Sequence, residues 1–401
     1  MSPKTTAKHV ACPYTMAVLP IQTVSDSVQL QPAHRFSTLD ALRGIAALLV
    51  VQVHLPFLFA KRIPFPNANL AVDFFFMLSG FVLSFAYGRR LEEGWPLRHF
   101  LRDRLIRLYP LYLLALPLGL ARLLLLGPSE HIPLGHIGVA VLIALALLML
   151  PAPASLAAGG PYAFPVNLPG WSLFYELLAN VLHAVFLRRR SLTRLAALVG
   201  LLALSFFAEA QLRHRINFGP YKGELGAAVL RVALSYTYGM LLFVLWQRGG
   251  RFRLGSNPGS NPGSKPGSGS GLSLVYALGS AALLVAVLVF PPLPQHEVLF
   301  AAMALLVAFP CSVLLGANAV PHPKLVPLFS VLGTTSYAVY VFHVPLYAVY
   351  TVLWKALAHA KPADHAPFAG WIYLVFLVLF AYAADRFYDL PVRRVLRRLT
   401  R

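Results

Sequence analysis

Charged residues are scarce in this chain of 401 residues. Asp, Glu, Lys and Arg together make up 12% of it, whereas soluble domains carry about 25%. Hydrophobic residues make up 58%, and the mean hydropathy is +0.67. This composition excludes a soluble globular enzyme. It predicts an all-α, polytopic integral membrane protein whose main partner is a lipid bilayer.

Acidic residues are fewer still: 14 of them stand against 34 Lys and Arg, for a net charge of +20. In a soluble protein this excess would suggest a nucleic-acid partner. Here the basic residues stand in short clusters between apolar runs, which is typical of cytoplasmic loops. We therefore expect no nucleic-acid binding.

Cysteine is almost absent. Cys12 lies in the N-terminal tail and Cys311 lies in an apolar run, so no disulfide framework and no metal-ligand spacing follow. The motifs G-x-S-x-G, H-E-x-x-H, C-x-x-C and the P-loop are also missing. We expect no bound metal and none of the chemistries that those motifs mark.

Two polar segments of the sequence stand apart from the apolar membrane domain. Residues 1–35 mix Pro, Ser, Thr, Gln and Lys without a signal peptide, which predicts a disordered cytoplasmic tail before an uncleaved first span. Residues 255–271, "GSNPGSNPGSKPGSGSG", predict a flexible linker. The linker falls within a membrane domain that we place at 36–398.

Apolar stretches long enough to span a bilayer lie at about 40–60, 70–88, 106–127, 134–151, 170–187, 192–208, 228–246, 272–290, 298–316, 331–354 and 368–388. Basic clusters at 89–107, 188–194, 248–265 and the C-terminus predict cytoplasmic loops, with both termini inside. The closing "YDLPVRRVLRR" is interpreted as mainly a topogenic signal.

The loops at 89–107 and 188–194 enclose three apolar stretches, although an even number of crossings must connect two cytoplasmic loops. The Pro- and Gly-rich segment 151–170 therefore predicts an irregular or re-entrant region. The expected architecture is about ten crossings plus this one segment. Which stretch between 106 and 187 fails to cross stays open.

The first span, "LDALRGIAALLVVQVH", contains three ionisable residues. Arg43 and His54 are eleven positions apart, so they face the same way on a helix and lie ~16 Å apart along its axis. Asp40 can pair with Arg43 one turn away. Arg43 is either a topogenic charge or part of a site. His54 is either a packing residue or functional, since ionisable residues inside membranes are rare and mark functional sites.

Basic residues run into the third span, where Arg104 and Arg107 share one helix face. Two guanidinium groups on one face can clamp a phosphate or a carboxylate. The alternative is the positive-inside signal.

Other spans contain isolated polar groups. Asp73 lies at the start of the second span, where it is either a helix cap or a functional group. Glu176 lies in an apolar helix beside Trp171, and its carboxylate needs a partner. It is either a structural anchor or a site residue. Ser336, Tyr337, Tyr340 and His343 lie on one side of the tenth apolar run, just before Pro345. For His343 a packed histidine is the alternative to a functional one.

Six motifs of the acyltransferase-3 family of polytopic membrane acyltransferases are similar to stretches of this chain, in order across 36–398. The stretches are "LDALRGIAALLVVQVH" (Arg/Lys-x10-His), "DFFFMLSGF" (second span), "RLIR" (Arg-x-x-Arg), "WSLFYE" (Trp-Ser-Leu-x-x-Glu), "SYAVYVFHVPL" (Ser-Tyr-x-x-Tyr-x-x-His-x-Pro) and "DLPVRR" (acidic-x-Pro-x-Arg-Arg, with Asp389 where Glu is more usual).

The resemblance implies transfer of an acyl group, most often acetyl, from cytosolic acyl-CoA to a hydroxyl of a cell-surface carbohydrate or lipid-linked glycan. It implies a bacterial inner membrane location. Larger members append a hydrolase-like domain. Because this sequence shows no such domain, we expect a standalone form. The expected catalytic residues are His54, His343 and Glu176, and those expected to bind acyl-CoA are Arg43, Arg104 and Arg107. Further expected site residues are Asp40, Asp73, Trp171, Ser336 and Tyr337.

Two rival functions remain. A transporter or channel can also use intramembrane His, Arg and Glu as a pathway, but the two halves of the chain show no inverted repeat. A structural scaffold predicts that His54 tolerates substitution. Direct transfer and a transient acyl-histidine are both compatible with the residues.

Overall fold

The structure, a computed structural model, describes residues 36–59, 65–126, 135–188, 191–249 and 270–400. These ranges form an all-α bundle without β-strands. Their only β-pairing is an isolated bridge between Tyr162 and Tyr221. The predicted tail, 1–35, and the predicted linker up to residue 269 lie outside the described residues. The last two linker residues begin a helix.

The α-helices of the described ranges are α1 (Ser37–His54), α2 (Ala71–Glu92), α3 (Leu97–Leu126), α4 (His136–Leu147), α5 (Gly170–Phe186), α6 (Leu192–Leu212), α7 (Leu225–Arg248), α8 (Ser270–Val289), α9 (Glu297–Met303), α10 (Phe309–Asn318), α11 (Val326–Phe342), α12 (Leu346–Ala358), α13 (Phe368–Ala383) and α14 (Leu390–Leu399). A π-helical turn joins α9 to α10, and another joins α13 to α14.

Eight helical segments of the described chain are long and apolar enough to cross a membrane. They contain α2, α3, α6, α7, α8, α9 with α10, α11, and α13 with α14. Helices α1 and α5, with 18 and 17 residues, carry polar groups within the same bundle. Adding these two to the eight gives ten long helices, and the chain is a multi-pass membrane protein.

Helix α4 is the short helix between the basic clusters at 89–107 and 188–194. Its 12 residues extend ~18 Å, less than the ~30 Å of a hydrocarbon core. Residues 148–169 follow as turns without a helix. Arg122 of α3 donates a hydrogen bond to the carbonyl of Pro165 at 3.1 Å. Contacts of this kind let irregular backbone exist inside a membrane protein.

The predicted single span at 331–354 is wrong, because two helices occupy it. Helix α11 ends at Phe342, and α12 begins at Leu346. Pro345 cannot donate the backbone hydrogen bond that a continuous helix needs, and its ring clashes with the preceding turn. His343 therefore lies in the break between the two helices.

Helices α1 and α11 run parallel and lie unusually close together. A Cβ at Gly44 would lie 2.6 Å from Cβ of Leu332 and 2.8 Å from its carbonyl oxygen. A Cβ at Gly333 would lie 2.5 Å from Cβ of Asp40. Small residues permit this kind of backbone approach in membrane bundles.

We expect Gly44→Ala to lower the thermal unfolding temperature of the purified protein, with a loss of about 1–3 kcal/mol, because the new methyl group overlaps the α11 backbone. Gly200→Ala in α6 is the matched control, since its Cβ would meet nothing within 4 Å. Equal unfolding temperatures for the two variants would contradict the close packing.

Candidate active site

A cavity of about 370 Å³ opens between α1, α2, α3, α5 and α11. Its polar lining residues are Arg43, Ser79, Arg104, Arg107, Ser172, Glu176, Ser336, Tyr337 and Tyr340. Apolar side chains, mostly from α2, complete the wall. Six of the residues predicted from the sequence meet here: Arg43, Arg104, Arg107, Glu176, Ser336 and Tyr337. We name this space the arginine cavity.

Glu176 has its partners inside the cavity. Its Oε1 lies 3.2 Å from Nη2 of Arg104 and accepts a hydrogen bond from the hydroxyl of Ser79. These contacts compensate the buried carboxylate. They place Glu176 beside the arginines, where it fixes the direction of the Arg104 side chain.

Arg43 is anchored on α11. Its Nε donates to Oγ of Ser336 at 2.9 Å, and its Nη2 donates to the carbonyl of Gly333 at 2.7 Å. The same Nη2 lies 3.1 Å from Oδ1 of Asp40. The guanidinium is therefore held at the cavity wall by α1 and α11 together.

Arg107 is held from the C-terminal end of the chain. It lies 3.7 Å from Oδ2 of Asp389 and faces the ring of Tyr337 at 5.7 Å. Asp389 is fully buried and also pairs with Arg393 at 2.8 Å. The interpretation of "DLPVRR" as mainly topogenic missed this contact. The i, i+4 spacing of Asp389 and Arg393 is the signal that could have revealed it.

Guanidinium groups dominate the charged lining of the arginine cavity, since three of them and one carboxylate line it. Asp40 pairs with Arg43 from outside the lining. Asp389 does the same with Arg107. Nε of Arg104 is buried and has no hydrogen-bond partner within the described ranges. This donor set suits a ligand with several anionic groups.

His54 and His343 form a pair beyond the cavity, with ring centroids 4.8 Å apart. Nδ1 of His54 lies 3.2 Å from the carbonyl of Val50, and Nδ1 of His343 lies 2.6 Å from that of Tyr340. A carbonyl only accepts, so each Nδ1 donates and each Nε2 carries the lone pair in the neutral ring. Nε2 of His343 is buried without a hydrogen-bond partner among the described residues.

Tyr340 separates the two parts of the site. Neither histidine lines the arginine cavity in the part of the chain that the structure describes. The ring of Tyr340 lies 5.7 Å from that of His343, and its hydroxyl lies 2.8 Å from Oγ of Ser172 on the cavity wall. The site is therefore an arginine cavity and a histidine pair, joined through Tyr340.

A family model described as an acyltransferase domain matches residues 36–384. The chain belongs to the acyltransferase-3 family. It is 43% identical over 162 residues to "Protein 2 in picA locus" of Rhizobium radiobacter, covering 38% of this chain and 83% of that protein. No solved structure matches the chain.

The remaining predicted site residues of this membrane acyltransferase, Asp73 and Trp171, also lie away from the cavity lining. Asp73 accepts hydrogen bonds from Arg231 at 2.7, 3.0 and 3.1 Å, and both side chains are fully buried. Trp171 packs its ring 5.7 Å from the same guanidinium. The structure thus places Asp73 in an ion pair rather than at a histidine. Arg231 was missed, although an arginine inside an apolar run calls for a carboxylate partner.

Arg231 ties together several segments of the acyltransferase. Besides pairing with Asp73 of α2, it donates to Oδ1 of Asn217 at 2.9 Å and to the carbonyls of Phe218 and Asn69 at 2.8 and 3.0 Å. All five donors of a guanidinium can be used in this way. The pair is therefore a structural anchor for the start of α2 and the segment before α7.

We expect Asp73→Asn to destabilise the protein by about 3–5 kcal/mol, because Arg231 would keep a buried charge without compensation. The double variant Asp73→Leu, Arg231→Met should unfold at a higher temperature than Asp73→Asn. Glu209→Gln is the control, since its pair with Arg213 is partly exposed and contributes little. The unfolding temperatures of all three variants are measured in detergent. A wild-type unfolding temperature for Asp73→Asn would contradict the role of this pair as a structural anchor.

Proposed function

We propose that this acyltransferase transfers an acetyl group from cytosolic acetyl-CoA to a hydroxyl of a cell-surface carbohydrate or lipid-linked glycan. The observation that carries the proposal is the arginine cavity, with its three guanidinium groups, next to the pair of His54 and His343. We place the protein in a bacterial inner membrane with both termini in the cytoplasm.

The cavity residues fit an acyl-CoA donor. When bound, acyl-CoA supplies several phosphate groups at one end and a reactive thioester at the end of a long, flexible arm. Arg104 and Arg107 bind the phosphates through charge-assisted hydrogen bonds, and Arg43 adds a third guanidinium. Glu176 and Asp389 keep Arg104 and Arg107 in fixed directions. The cluster of arginines at the end of α2 and the start of α3 favours a cytosolic position for this opening.

The histidine pair supplies the base. Nε2 of His54 accepts the proton of the acceptor hydroxyl, and a neutral imidazole suits this role near neutral pH. His343 is the second acid or base. Because α1 rises ~1.5 Å per residue, His54 lies ~16 Å beyond Arg43 along the helix. A long arm that starts at the arginines can therefore end near the histidines.

His54→Ala tests the base. We expect it to lower acetylation of the acceptor by about 10²–10⁴-fold, the usual contribution of a positioned acid–base group. Surface glycans of cells expressing the variant are scored by mass spectrometry, with protein levels measured in parallel. His322→Ala is the control, since His322 is exposed. Normal acetylation by His54→Ala at normal protein levels would remove His54 from catalysis.

Arg104→Ala combined with Arg107→Ala tests the donor site. We expect acetyl-CoA to bind more weakly by at least about 10-fold, because each charge-assisted hydrogen bond contributes about 1.5–3 kcal/mol. Isothermal titration of the protein in nanodiscs measures the affinity. Arg213→Ala, at an exposed ion pair, is the control. An unchanged affinity in the double variant would overturn the clamp.

A further inference from the structure

We propose that the phenolic hydroxyl of Tyr340 stabilises the oxyanion that forms when the thioester carbonyl is attacked. The inference rests on the proposed function and adds a catalytic group to it. Any acyl transfer from a thioester places negative charge on the carbonyl oxygen, and a positioned donor at that point accelerates the reaction. The question is which donor of the site is available.

Most hydroxyl groups of the arginine cavity donate to strong, fixed acceptors. The hydroxyl of Ser79 donates to the Glu176 carboxylate. That of Ser336 donates to the carbonyl of Gly333 at 2.8 Å, and that of Tyr337 to the carbonyl of Leu108 at 2.5 Å. Redirecting any of them would give up a hydrogen bond to a carboxylate or to a backbone carbonyl, which costs free energy.

Tyr340 is in a different position. Ser172 donates its own proton to the carbonyl of Pro169 at 3.0 Å, so Tyr340 is the donor in their 2.8 Å contact. The acceptor is a neutral hydroxyl oxygen that already serves another hydrogen bond. A charged oxyanion accepts a hydrogen bond about twice as strong as a neutral group. The Tyr340 hydroxyl can therefore turn from Ser172 to the oxyanion with a net gain.

The ring of Tyr340 is also held in place between the arginine cavity and the histidine pair. It is 6% exposed and packs edge-on against Phe75 at 5.6 Å. Tyr340 precedes His343 by three residues, and its carbonyl lies 2.6 Å from Nδ1 of His343 at the end of α11. A carbonyl located between the phosphate-binding arginines and the histidine base lies beside this hydroxyl.

The acceptor oxygen forms a bond to the thioester carbon while its proton passes to Nε2 of His54. The carbonyl π pair moves to oxygen, where the O–H of Tyr340 donates to the new charge. When the carbonyl reforms, the C–S bond breaks, and the leaving thiolate takes the proton from the His54 imidazolium. Tyr340 keeps its own proton throughout.

Tyr340→Phe removes this hydroxyl and keeps the ring. We expect kcat for acetyl transfer to fall about 10²–10³-fold, with the Kd for acetyl-CoA unchanged. The assay uses the full chain in nanodiscs with [14C]acetyl-CoA, and the envelope fraction of a strain lacking the gene supplies the acceptor. Tyr350→Phe is the matched control, because it removes a buried hydroxyl that donates to Ala369 outside the cavity, and its rate should stay at the wild-type value.

Ser172→Ala separates catalysis from structure. It breaks the same hydrogen bond but leaves the Tyr340 hydroxyl in place, so we expect less than about 10-fold loss of kcat. Equal losses in Tyr340→Phe and Ser172→Ala would make the contact structural and overturn the inference. So would wild-type kcat in Tyr340→Phe, or a loss confined to Kd.

The same assay distinguishes failure of the Tyr340 role from failure of the proposed acetyl transfer. If His54→Ala is inactive while Tyr340→Phe is fully active, the oxyanion role of Tyr340 fails and the proposed function stands. If the wild-type chain binds no acetyl-CoA and incorporates no label, the proposed function fails and the inference fails with it.

Discussion

The close, parallel contact of α1 with α11 is the constraint on which the site depends. Glycine at 44 and 333 lets the two backbones approach to a distance that no Cβ would permit. At one level Arg43 reaches Ser336 and the carbonyl of Gly333. At the end of α1, His54 meets His343, which directly follows α11. The packing of this one helix pair therefore holds both ends of the site.

Charge inside the membrane imposes the second constraint. Removing a charged side chain from water is expensive unless a partner compensates it. Arg231 is fully buried in its pair with Asp73, and this arrangement holds segments together. The cavity arginines also have carboxylate partners, but their guanidinium groups line an open space. They therefore remain accessible to an anionic substrate, which is the physical difference between an anchor and a binding site.

The sequence was sufficient to predict the membrane bundle, the irregular segment near 151–170 and most of the polar cavity residues, because hydropathy and helical periodicity are local properties. It was insufficient for contacts between distant parts of the chain. The pairs of Asp73 with Arg231 and of Arg107 with Asp389 connect residues 158 and 282 positions apart, and periodicity gives the face of a helix but not its neighbour. Pro345 lies within an apolar run of the sequence, yet whether a proline bends or ends a helix depends on tertiary packing.

The central claim is that the arginine cavity is the acyl-CoA site. Its most direct test is photoaffinity labelling of the protein in nanodiscs with an azido derivative of CoA, followed by peptide mass spectrometry. The account predicts label on peptides of α1, α3 and α11 around the cavity, and loss of that label when excess acetyl-CoA competes. Label confined to helices that do not line the cavity, or label that acetyl-CoA does not displace, would contradict this claim.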